Sequence, residues 1–598
     1  MVKITPEMCI AGRELGEPRL SPDARTVAFS VGWGGRSAIA VVPVDGGVER
    51  LLTTEPQPRS GRGFGGGCFD WLPDSSGVVY AARDGGLWLQ PAAGGAPRCI
   101  VEGDPDRPAQ APAVSPDAAR VAYVVDQAEV WCTSLVEEQA SAVRLSAAST
   151  DFCADPAWAP GGATVVWQEW DVPNMAWDES RLVRAHVHHG GAEVIAAQRS
   201  VQMQQPRWSP DGRLFWVSDA TGWLVVHCDG SPVLDEQYEH AGPTWGLGQR
   251  SFAISPDGAR VALCRNEAGF GRLVVVDLGS GEVEEIATAV HGQLSWHGDR
   301  LTALRSGART PTQIVSYDLA RRPVERRTLG VGPVLGFEHA ELPEPELVSW
   351  PAEDGAEVFG RLYRSPGHGS AAGRLLCWVH GGPTDQWQVV FMPRHGYWLH
   401  QGWSILVPDH RGSTGHGRAY QQAMAGRWGE LDVSDVADAL RHAYAQGWAT
   451  PATTVLVGGS AGGFTALNVL IAHPGLVAGA VVLYPVTDLA ELDATTHRYE
   501  AHYNRTLVGP PEVAPARYEQ RSPLRHAERI DAPLLVLHGT DDPVVALSQS
   551  EALRDRVRAA GGDVELHVYE GEGHGFRQPA NQLDEYRRMA DFLRRVVP

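Results

Sequence analysis

The stretch Thr454-Val455-Leu456-Val457-Gly458-Gly459-Ser460-Ala461-Gly462 joins a short apolar run, typical of a buried strand, to a G-x-S-x-G sequence. In this context the pattern predicts a sharp turn between a strand and a helix, with Ser460 at its tip. The flanking glycines let neighbouring backbone approach the turn closely. The alternative interpretation is a glycine-rich helix start without chemistry, because short sequences of this kind also occur by chance.

Two later loops carry the residue types that would activate such a serine. The segment His538-Gly539-Thr540-Asp541-Asp542-Pro543-Val544-Val545 follows one apolar run, and Glu570-Gly571-Glu572-Gly573-His574-Gly575-Phe576 follows another. The order Ser, Asp, His is that of α/β-hydrolases, whose sites lie where the strands of a parallel sheet end. We therefore predict Ser460 as nucleophile and His574 as general base, with Asp541 or Asp542 orienting the imidazole.

A serine nucleophile also needs two N–H donors for the negatively charged oxygen of its intermediate. One predicted donor is the backbone of Ala461, the residue after the serine. The other is expected from Gly381 or Gly382 in the turn His380-Gly381-Gly382-Pro383, which ends an earlier apolar run. The alternative is that this segment is only a tight turn.

The pattern of apolar and helical segments around these motifs predicts the architecture of the second half of the chain. Short apolar runs alternate with stretches of helical periodicity from about residue 345 onward. Such alternation is typical of a mostly parallel sheet with helices on both faces. We predict that residues 336–598 form an α/β-hydrolase domain.

The first half instead carries a repeated turn sequence, Ser-Pro-Asp or a close variant. Successive prolines, from Pro22 to Pro256, are separated by 51, 43, 44, 50 and 46 residues, and a decayed seventh copy contains Gly298 and Asp299. A repeat of 40–50 residues, made of short strands separated by turns, is typical of propeller blades. We predict a seven-bladed β-propeller over residues 1–335; the alternative is a β-sandwich array with coincidental turns.

Composition excludes several kinds of protein. The chain has 598 residues and a single lysine, Lys3, so P-loop, pyridoxal-phosphate and protein-kinase chemistries lack their lysine. A net charge of −21 without a basic run argues against nucleic-acid binding. The scattered cysteines, and a start without the apolar region of a signal peptide, lead us to expect a cytoplasmic protein. No apolar run is long enough to predict a membrane helix.

A seven-bladed propeller before these hydrolase motifs resembles the prolyl oligopeptidase family of serine peptidases. The motifs are HGGP, DHRGSTGHGR (409–418), GGSAGG, HGxxDxxV and GHGF. The resemblance implies that Asp542, rather than Asp541, completes the triad. The HGGP turn is similar to that of the acylaminoacyl-peptidase branch, and no metal or cofactor is implied. We expect a serine peptidase acting on short peptides, with a homo-oligomer as one option for its assembly.

The resemblance also bears on substrate binding. Val545 matches a position that lines the specificity pocket in relatives, whereas Val544 stands where several relatives carry an Arg or Asn that binds substrate backbone. In aminopeptidase-like relatives, propeller carboxylates bind the free amino group of the substrate. We expect Asp178 or Glu179 to do this; the alternative is a blade loop that packs on its neighbour.

Two other functions are compatible with the sequence. The same triad could serve an esterase, an amidase or an enzyme that tailors or transfers a biosynthetic peptide. A propeller interaction module with an inactive hydrolase domain is a further alternative, although the complete Ser460, Asp542 and His574 set argues against it.

Overall fold

A computed structural model describes residues 3–60, 67–137, 141–188, 190–332, 336–337, 340, 342–366 and 373–598 of the chain. The chain folds into two compact units. One unit comprises Gly12–Pro333 and Gln388–Phe391, and the other comprises Met1–Ala11, Val334–Trp387 and Met392–Pro598.

In the first unit the described residues form seven four-stranded antiparallel sheets, the blades of a β-propeller. The strands of blades 1 to 4, in chain order within each blade, are β1 Glu14–Leu20, β2 Thr26–Trp33, β3 Arg36–Pro43 and β4 Arg50–Leu51; β5 Phe69–Trp71, β6 Gly77–Ala81, β7 Leu87–Pro91 and β8 Arg98–Val101; β9 Ala109–Val114, β10 Arg120–Val125, β11 Glu129–Ser134 and β12 Val143–Arg144; β13 Phe152–Trp158, β14 Thr164–Trp170, β15 Arg181–His186 and β16 Gly190–Ala196. Those of blades 5 to 7 are β17 Met203–Trp208, β18 Leu214–Ser218, β19 Val225–Cys228 and β20 Ser231–Pro232; β21 Phe252–Ile254, β22 Arg260–Glu267, β23 Phe270–Asp277 and β24 Val283–Thr288; β25 Val290–His297, β26 Arg300–Gly307, β27 Thr310–Asp318 and β28 Glu325–Val331. The seven predicted blades are confirmed.

The repeated Ser-Pro-Asp sequence is the turn between the first two strands of a blade. In blade 1 the Ser21 hydroxyl donates to Asp23 at 2.5 Å and accepts from the Thr26 amide at 2.9 Å. The residue two places after the proline has a left-handed backbone, and it is glycine in some copies but Ala24 in blade 1 and Ala118 in blade 3. The turn residues are therefore structural, as the sequence predicts.

The second unit is built on an eight-stranded sheet with the order β29-β30-β32-β31-β33-β34-β35-β36. Its strands are β29 Glu346–Pro351, β30 Glu357–Tyr363, β31 Arg374–Val379, β32 Trp403–Asp409, β33 Thr454–Gly459, β34 Gly479–Leu483, β35 Leu534–Gly539 and β36 Val564–Tyr569. The first two pairings along the sheet are antiparallel and the other five are parallel. The predicted α/β-hydrolase architecture, a mostly parallel sheet, is confirmed.

Ten α-helices accompany the described part of the chain, nine of them after residue 390. They are α1 Pro6–Ile10, α2 Pro393–His400, α3 Arg418–Gln422, α4 Leu431–Ala445, α5 Ala461–Ala472, α6 Leu489–Thr495, α7 Tyr503–Leu507, α8 Pro515–Arg521, α9 Leu547–Ala559 and α10 Pro579–Val596. Short 3₁₀ segments lie at Pro451–Thr453 and Pro523–Arg529. The core cluster of this unit lies on one face of the sheet, where Leu456 of β33 packs with Leu467 of α5 and with residues of α4 and α9. Among the described helices, none has the length and apolar character needed to cross a membrane.

The ends of the two units differ in part from the sequence prediction. The predicted propeller starts at residue 1, whereas the described residues 3–11 group with the second unit, because α1 packs against α2 and α10. The Cys9 thiol also donates to the Pro393 carbonyl at 3.3 Å. The predicted boundary between the two domains lies after residue 335. Residues 333–335 are outside the described part of the chain, so this boundary stays a prediction.

Candidate active site

Ser460 occupies the tight turn that the sequence predicts between β33 and α5. Its backbone lies in a left-handed region with φ 55° and ψ −124°, an unfavourable conformation for a residue with a side chain. Its amide donates to Leu483 at the end of β34 at 3.0 Å. Strain of this kind persists where surrounding structure holds it, and it is common at functional sites.

The glycines beside Ser460 are required by close packing. A methyl group on Gly462 would lie 2.3 Å from the Val379 carbonyl oxygen, and one on Gly458 would lie 2.2 Å from the Gly462 carbonyl oxygen. Both distances are far below van der Waals contact. The end of β31 therefore lies directly against the start of α5, which explains why the sequence around the serine is so rich in glycine.

His574 and Asp542 form a charged hydrogen bond on the two loops that the sequence indicated. The His574 Nδ1 donates to Asp542 Oδ2 at 2.7 Å. The other oxygen of Asp542 accepts from the amides of Val544 at 2.8 Å and Val545 at 3.0 Å. The Asp541 side chain is on an exposed residue and accepts from Thr540 instead. Geometry thus selects Asp542 as the partner of the histidine.

Burial by itself raises the pKa of Asp542, but hydrogen bonds from His538 and His574 outweigh burial and hold the pKa below its ordinary value. The carboxylate is therefore ionised at neutral pH and accepts the Nδ1 proton of His574. That arrangement leaves Nε2 as the nitrogen that can take a proton from a nucleophile.

Tyr484 links the histidine to the nucleophile turn. It follows β34 with a left-handed φ of 38°, and its ring centroid lies 4.4 Å from that of His574. A methyl group on Gly459 would lie 3.2 Å from the Tyr484 ring. The same tyrosine ring therefore contacts the residue before Ser460 and the imidazole of His574.

The HGGP turn lies against the nucleophile turn. A methyl group on Gly381 would lie 3.5 Å from Ser460 Cβ and 3.2 Å from the Gly459 carbonyl oxygen. Gly382 has a φ of +125°, which favours glycine. Ala461 is the first residue of α5, where backbone N–H groups lack helical partners. Gly381 therefore lies beside Ser460, and the roles of Gly381, Gly382 and Ala461 as N–H donors stay predictions.

Two buried contacts that sequence reasoning missed hold the HGGP turn in place. His380 donates from Nδ1 to the Gly381 carbonyl at 2.8 Å, and its Nε2 accepts from the Ser413 hydroxyl at 2.8 Å. The Tyr503 hydroxyl donates to Thr384 Oγ1 at 2.6 Å and accepts from the Thr384 amide at 3.2 Å. Ser413 belongs to the DHRGSTGHGR motif, whereas nothing in the sequence marked Tyr503.

Replacing Tyr503 by Phe removes both contacts with Thr384 while preserving the ring. We expect kcat to fall by about tenfold with little change in KM, because the turn donors act on the transition state more than on the bound substrate. Steady-state kinetics on an aminoacyl p-nitroanilide measure this split. An equal loss for Tyr444→Phe, whose hydroxyl bonds to the Leu476 carbonyl away from this turn, would point to a general loss of stability instead.

Asp385, two residues after HGGP, supplies a pH-dependent test of this region. Burial raises the pKa of Asp385 to about 6, above the value of about 3.9 in an unfolded chain. Folding therefore favours the protonated form, and stability falls as pH rises from about 4 to 6. We expect Asp385→Asn to raise the free energy of unfolding by about 1–3 kcal/mol at pH 8 and by about half as much at pH 5. Urea unfolding at both pH values measures this, and an equal gain at both would contradict it.

The predicted substrate-binding residues Val545, Asp178 and Glu179 all make contacts within the protein. The Val545 side chain is fully buried, its amide donates to Asp542, and its carbonyl accepts from His538 at 2.9 Å. Asp178 accepts from the Met175 amide at 3.0 Å, and Glu179 accepts from the Ser200 amide at 2.7 Å. These residues have local structural contacts, and their predicted roles toward substrate stay predictions.

Among the described residues, no group of three or more His, Cys, Asp or Glu side chains could hold a metal ion. The ionisable groups around Ser460 are those of a nucleophile, a base and a carboxylate. Together with the two sets of N–H donors, they suit acyl transfer by a serine nucleophile.

Comparisons with known proteins agree with this reading. Residues 390–598 match the model of the prolyl oligopeptidase family. Dipeptidyl aminopeptidase BIII of Pseudoxanthomonas mexicana is 30% identical over 291 residues, which are 45% of this chain and 42% of that protein. The acylamino-acid-releasing enzyme of Arabidopsis thaliana is 26% identical over 43% of this chain and 35% of its own length. The chain thus matches only about two fifths of the length of these curated relatives.

A solved structure extends the similarity to both units. The crystal structure of puromycin hydrolase has 26% sequence identity and a TM-score of 0.88, covering 100% of this chain and 96% of that one.

Proposed function

We propose that this chain, whose C-terminal domain belongs to the prolyl oligopeptidase family, is a serine peptidase that cleaves short peptides through an acyl-enzyme on Ser460. The observation that carries the proposal is the hydrogen bond between the ionised Asp542 carboxylate and His574, on two loops near a strained serine turn. Similarity to peptidases along part of the chain, and to puromycin hydrolase along all of it, supports the same reaction class.

The reaction follows from the positions of these groups. Ser460 Oγ attacks the carbonyl carbon of the scissile bond while His574 Nε2 takes the hydroxyl proton. Amides of Ala461 and of Gly381 or Gly382 stabilise the negative charge on the carbonyl oxygen. His574 then gives the proton to the leaving amine, and the acyl-enzyme forms. Water, deprotonated by His574, then attacks the acyl carbon. His574 returns this proton to Ser460 Oγ as the ester C–O bond breaks, which releases the acid product and regenerates the serine hydroxyl.

The chemical class of the substrate is also part of the proposal. A comparison of kcat/KM for aminoacyl p-nitroanilides, their N-acetylated forms and a simple p-nitrophenyl ester assigns the class. We expect peptide-type substrates to be cleaved with the higher efficiency. Cleavage of the ester alone would favour the alternative esterase or amidase function, and no cleavage of any of them would favour an inactive hydrolase domain.

The role of Asp178 or Glu179 in binding a free amino group is also a proposal. Both carboxylates accept backbone bonds in their own region of blade 4, which supports the alternative that they hold the loop. Glu179→Gln and Asp178→Asn should reduce the preference for free over N-acetylated substrates if the amine binds there. An unchanged ratio in both variants would leave the loop-packing role.

We also propose a cytoplasmic location, on the basis of eight unpaired cysteines spread over the chain. The assembly state is not fixed by this proposal. Fractionation of cells that express the chain with a C-terminal tag tests the location, and recovery outside the cytoplasm would contradict it.

A further inference from the structure

The connection between blades 5 and 6 of the propeller is unusual in its burial. Residues 242–250, here named the channel segment, have no regular secondary structure, yet none of these described residues is exposed. Irregular backbone is normally at the surface, because its polar groups need partners. The partners of the channel segment therefore explain where it lies.

Those partners belong to blades around the whole ring. In the channel segment, the Gly248 amide donates to Asp155 of blade 4, and its carbonyl accepts from Gln293 of blade 7 at 3.1 Å. Leu247 Cβ would lie 3.3 Å from a methyl group on Gly67, which leads into blade 2. Blades 2 and 4 are not neighbours of blade 6 in a seven-bladed ring. Only a segment that crosses the central channel can contact all of them.

The channel segment ends at Arg250, next to two arginines of the first strands of blades 1 and 5. Arg207 donates to the carbonyl of Gln249, the residue before Arg250, at 3.0 Å. Arg19 donates to the carbonyl of Phe69 at 3.2 Å, and the next residue, Asp70, lies 3.9 Å from Arg250. Burial, and then the positive charge of Arg250, lower the pKa of Arg19 in β1 to about 9 and that of Arg207 in β17 to about 10. Arg19 is 3% exposed. We name Arg19, Arg207 and Arg250 the arginine cluster.

Three carboxylates lie near the arginine cluster, those of Glu17, Asp70 and Asp155, and each already accepts from a backbone amide; the donor to Asp155 is Gly248. Glu17 Oε2 accepts from the Gly67 and Cys68 amides, each at 2.8 Å, and Asp70 Oδ2 accepts from the Val114 amide at 3.0 Å. The nearest contacts among the described residues, Arg19–Glu17 and Arg250–Asp70, are both 3.9 Å. That separation is too long for the charge-assisted hydrogen bonds that guanidinium groups form with oxyanions.

Two N–H donors of the cluster are unused in the part of the chain that the structure describes. They are the nitrogen atoms Arg19 Nη1 and Arg250 Nε, and both atoms are buried. A buried donor without a partner costs free energy that a ligand can recover. Guanidinium groups match oxyanions in both charge and planar donor geometry.

We propose that the arginine cluster binds a compact oxyanion, of the phosphate or carboxylate type, inside the propeller channel. The site is formed by blades 1 and 5 and by the channel segment. It is separate from the chemistry of Ser460 and does not depend on it.

Inorganic phosphate is the first probe. At constant ionic strength, replacing sodium chloride by sodium phosphate should raise the thermal midpoint of the full chain by about 2–5 °C, because an anion that binds only the folded state stabilises it. Sodium acetate forms a second arm: an equal rise assigns a carboxylate site, and a rise with phosphate alone assigns a tetrahedral anion. No rise with either anion would overturn the proposal.

Charge variants of opposite sign separate binding from structural damage. Arg250→Gln should abolish the anion-dependent rise, whereas Asp70→Asn, which removes a nearby negative charge, should enlarge it. Arg184→Gln, on an exposed arginine paired with Glu193 in blade 4, is the matched control and should leave the rise unchanged. Retention of the full rise in Arg250→Gln, or no enlargement in Asp70→Asn, would contradict the site. Should Arg250→Gln not fold, Asp70→Asn decides alone.

Ser460→Ala should show the same anion-dependent rise as the unaltered chain. This variant separates the anion site from the peptidase function. Anion binding can be absent while the enzyme is active, and it can be present while the enzyme is inactive.

Discussion

Replacing Ser460 by Ala should lower kcat for an aminoacyl p-nitroanilide by about 10⁶-fold, to the residual level that binding and N–H donors alone provide. The hydroxyl is the only atom lost, and no other group in the site can form the acyl-enzyme. The left-handed backbone at residue 460 persists with Ala, which has the same Cβ. The loss should therefore appear in kcat, while the thermal midpoint changes little.

Ser434→Ala is a suitable control for this variant. Ser434 lies in α4 and its hydroxyl donates to the Leu431 carbonyl at 3.0 Å, within its own helix. Its activity should equal that of the unaltered enzyme. Full activity of Ser460→Ala would remove the serine from the mechanism altogether.

Replacing Asp542 by Asn should lower kcat by about 10⁴-fold. The amide has the shape of the carboxylate and can still accept from Val544 and Val545 through one oxygen. Its NH₂ group, however, would face His574 Nδ1 and favour the tautomer with the proton on Nε2. The histidine could then no longer accept the proton of Ser460.

Asp541→Asn is the matched control, one residue away on the same loop. The Asp541 side chain accepts from Thr540 at 2.9 Å and does not contact His574. Its activity should be unchanged. A large loss for Asp541→Asn together with a small loss for Asp542→Asn would reverse the assignment that the geometry makes.

Much of this fold follows from short-range sequence signals. The Ser-Pro-Asp turns specify their own hydrogen bonds within a few residues, so their spacing predicts the blades. Ser460 is likewise marked by its glycines, because close approach of Val379 and Gly462 excludes larger residues. Local chemistry of this kind leaves a pattern that can be read without a structure.

Contacts between distant parts of the chain left no such pattern. Tyr503 bonds to Thr384 across 119 residues, and although Thr384 follows the HGGP motif, nothing in the sequence marks Tyr503 as its partner. Buried Arg361 pairs with buried Asp409 across two strands, and Asp409 also accepts from His416 at 2.8 Å. The crossing of the propeller channel by residues 242–250 depends on partners in blades 2, 4 and 7. Such contacts become visible only when the blades and the sheet are assembled.

The grouping of residues 3–11 with the second unit is a further feature that depends on distant contacts. Helix α1 has only five residues, too few to show a helical period of apolar residues in the sequence. Only its packing against α2 and α10 reveals that it belongs with the second unit.

The most direct test of the central claim is labelling with a fluorophosphonate, followed by mass spectrometry of the digested protein. A fluorophosphonate reacts with a serine whose hydroxyl is activated by a neighbouring base. We predict one phosphonylated residue, Ser460, with labelling lost in His574→Ala. Absence of label on Ser460 in the folded protein, or equal labelling in His574→Ala, would contradict the account.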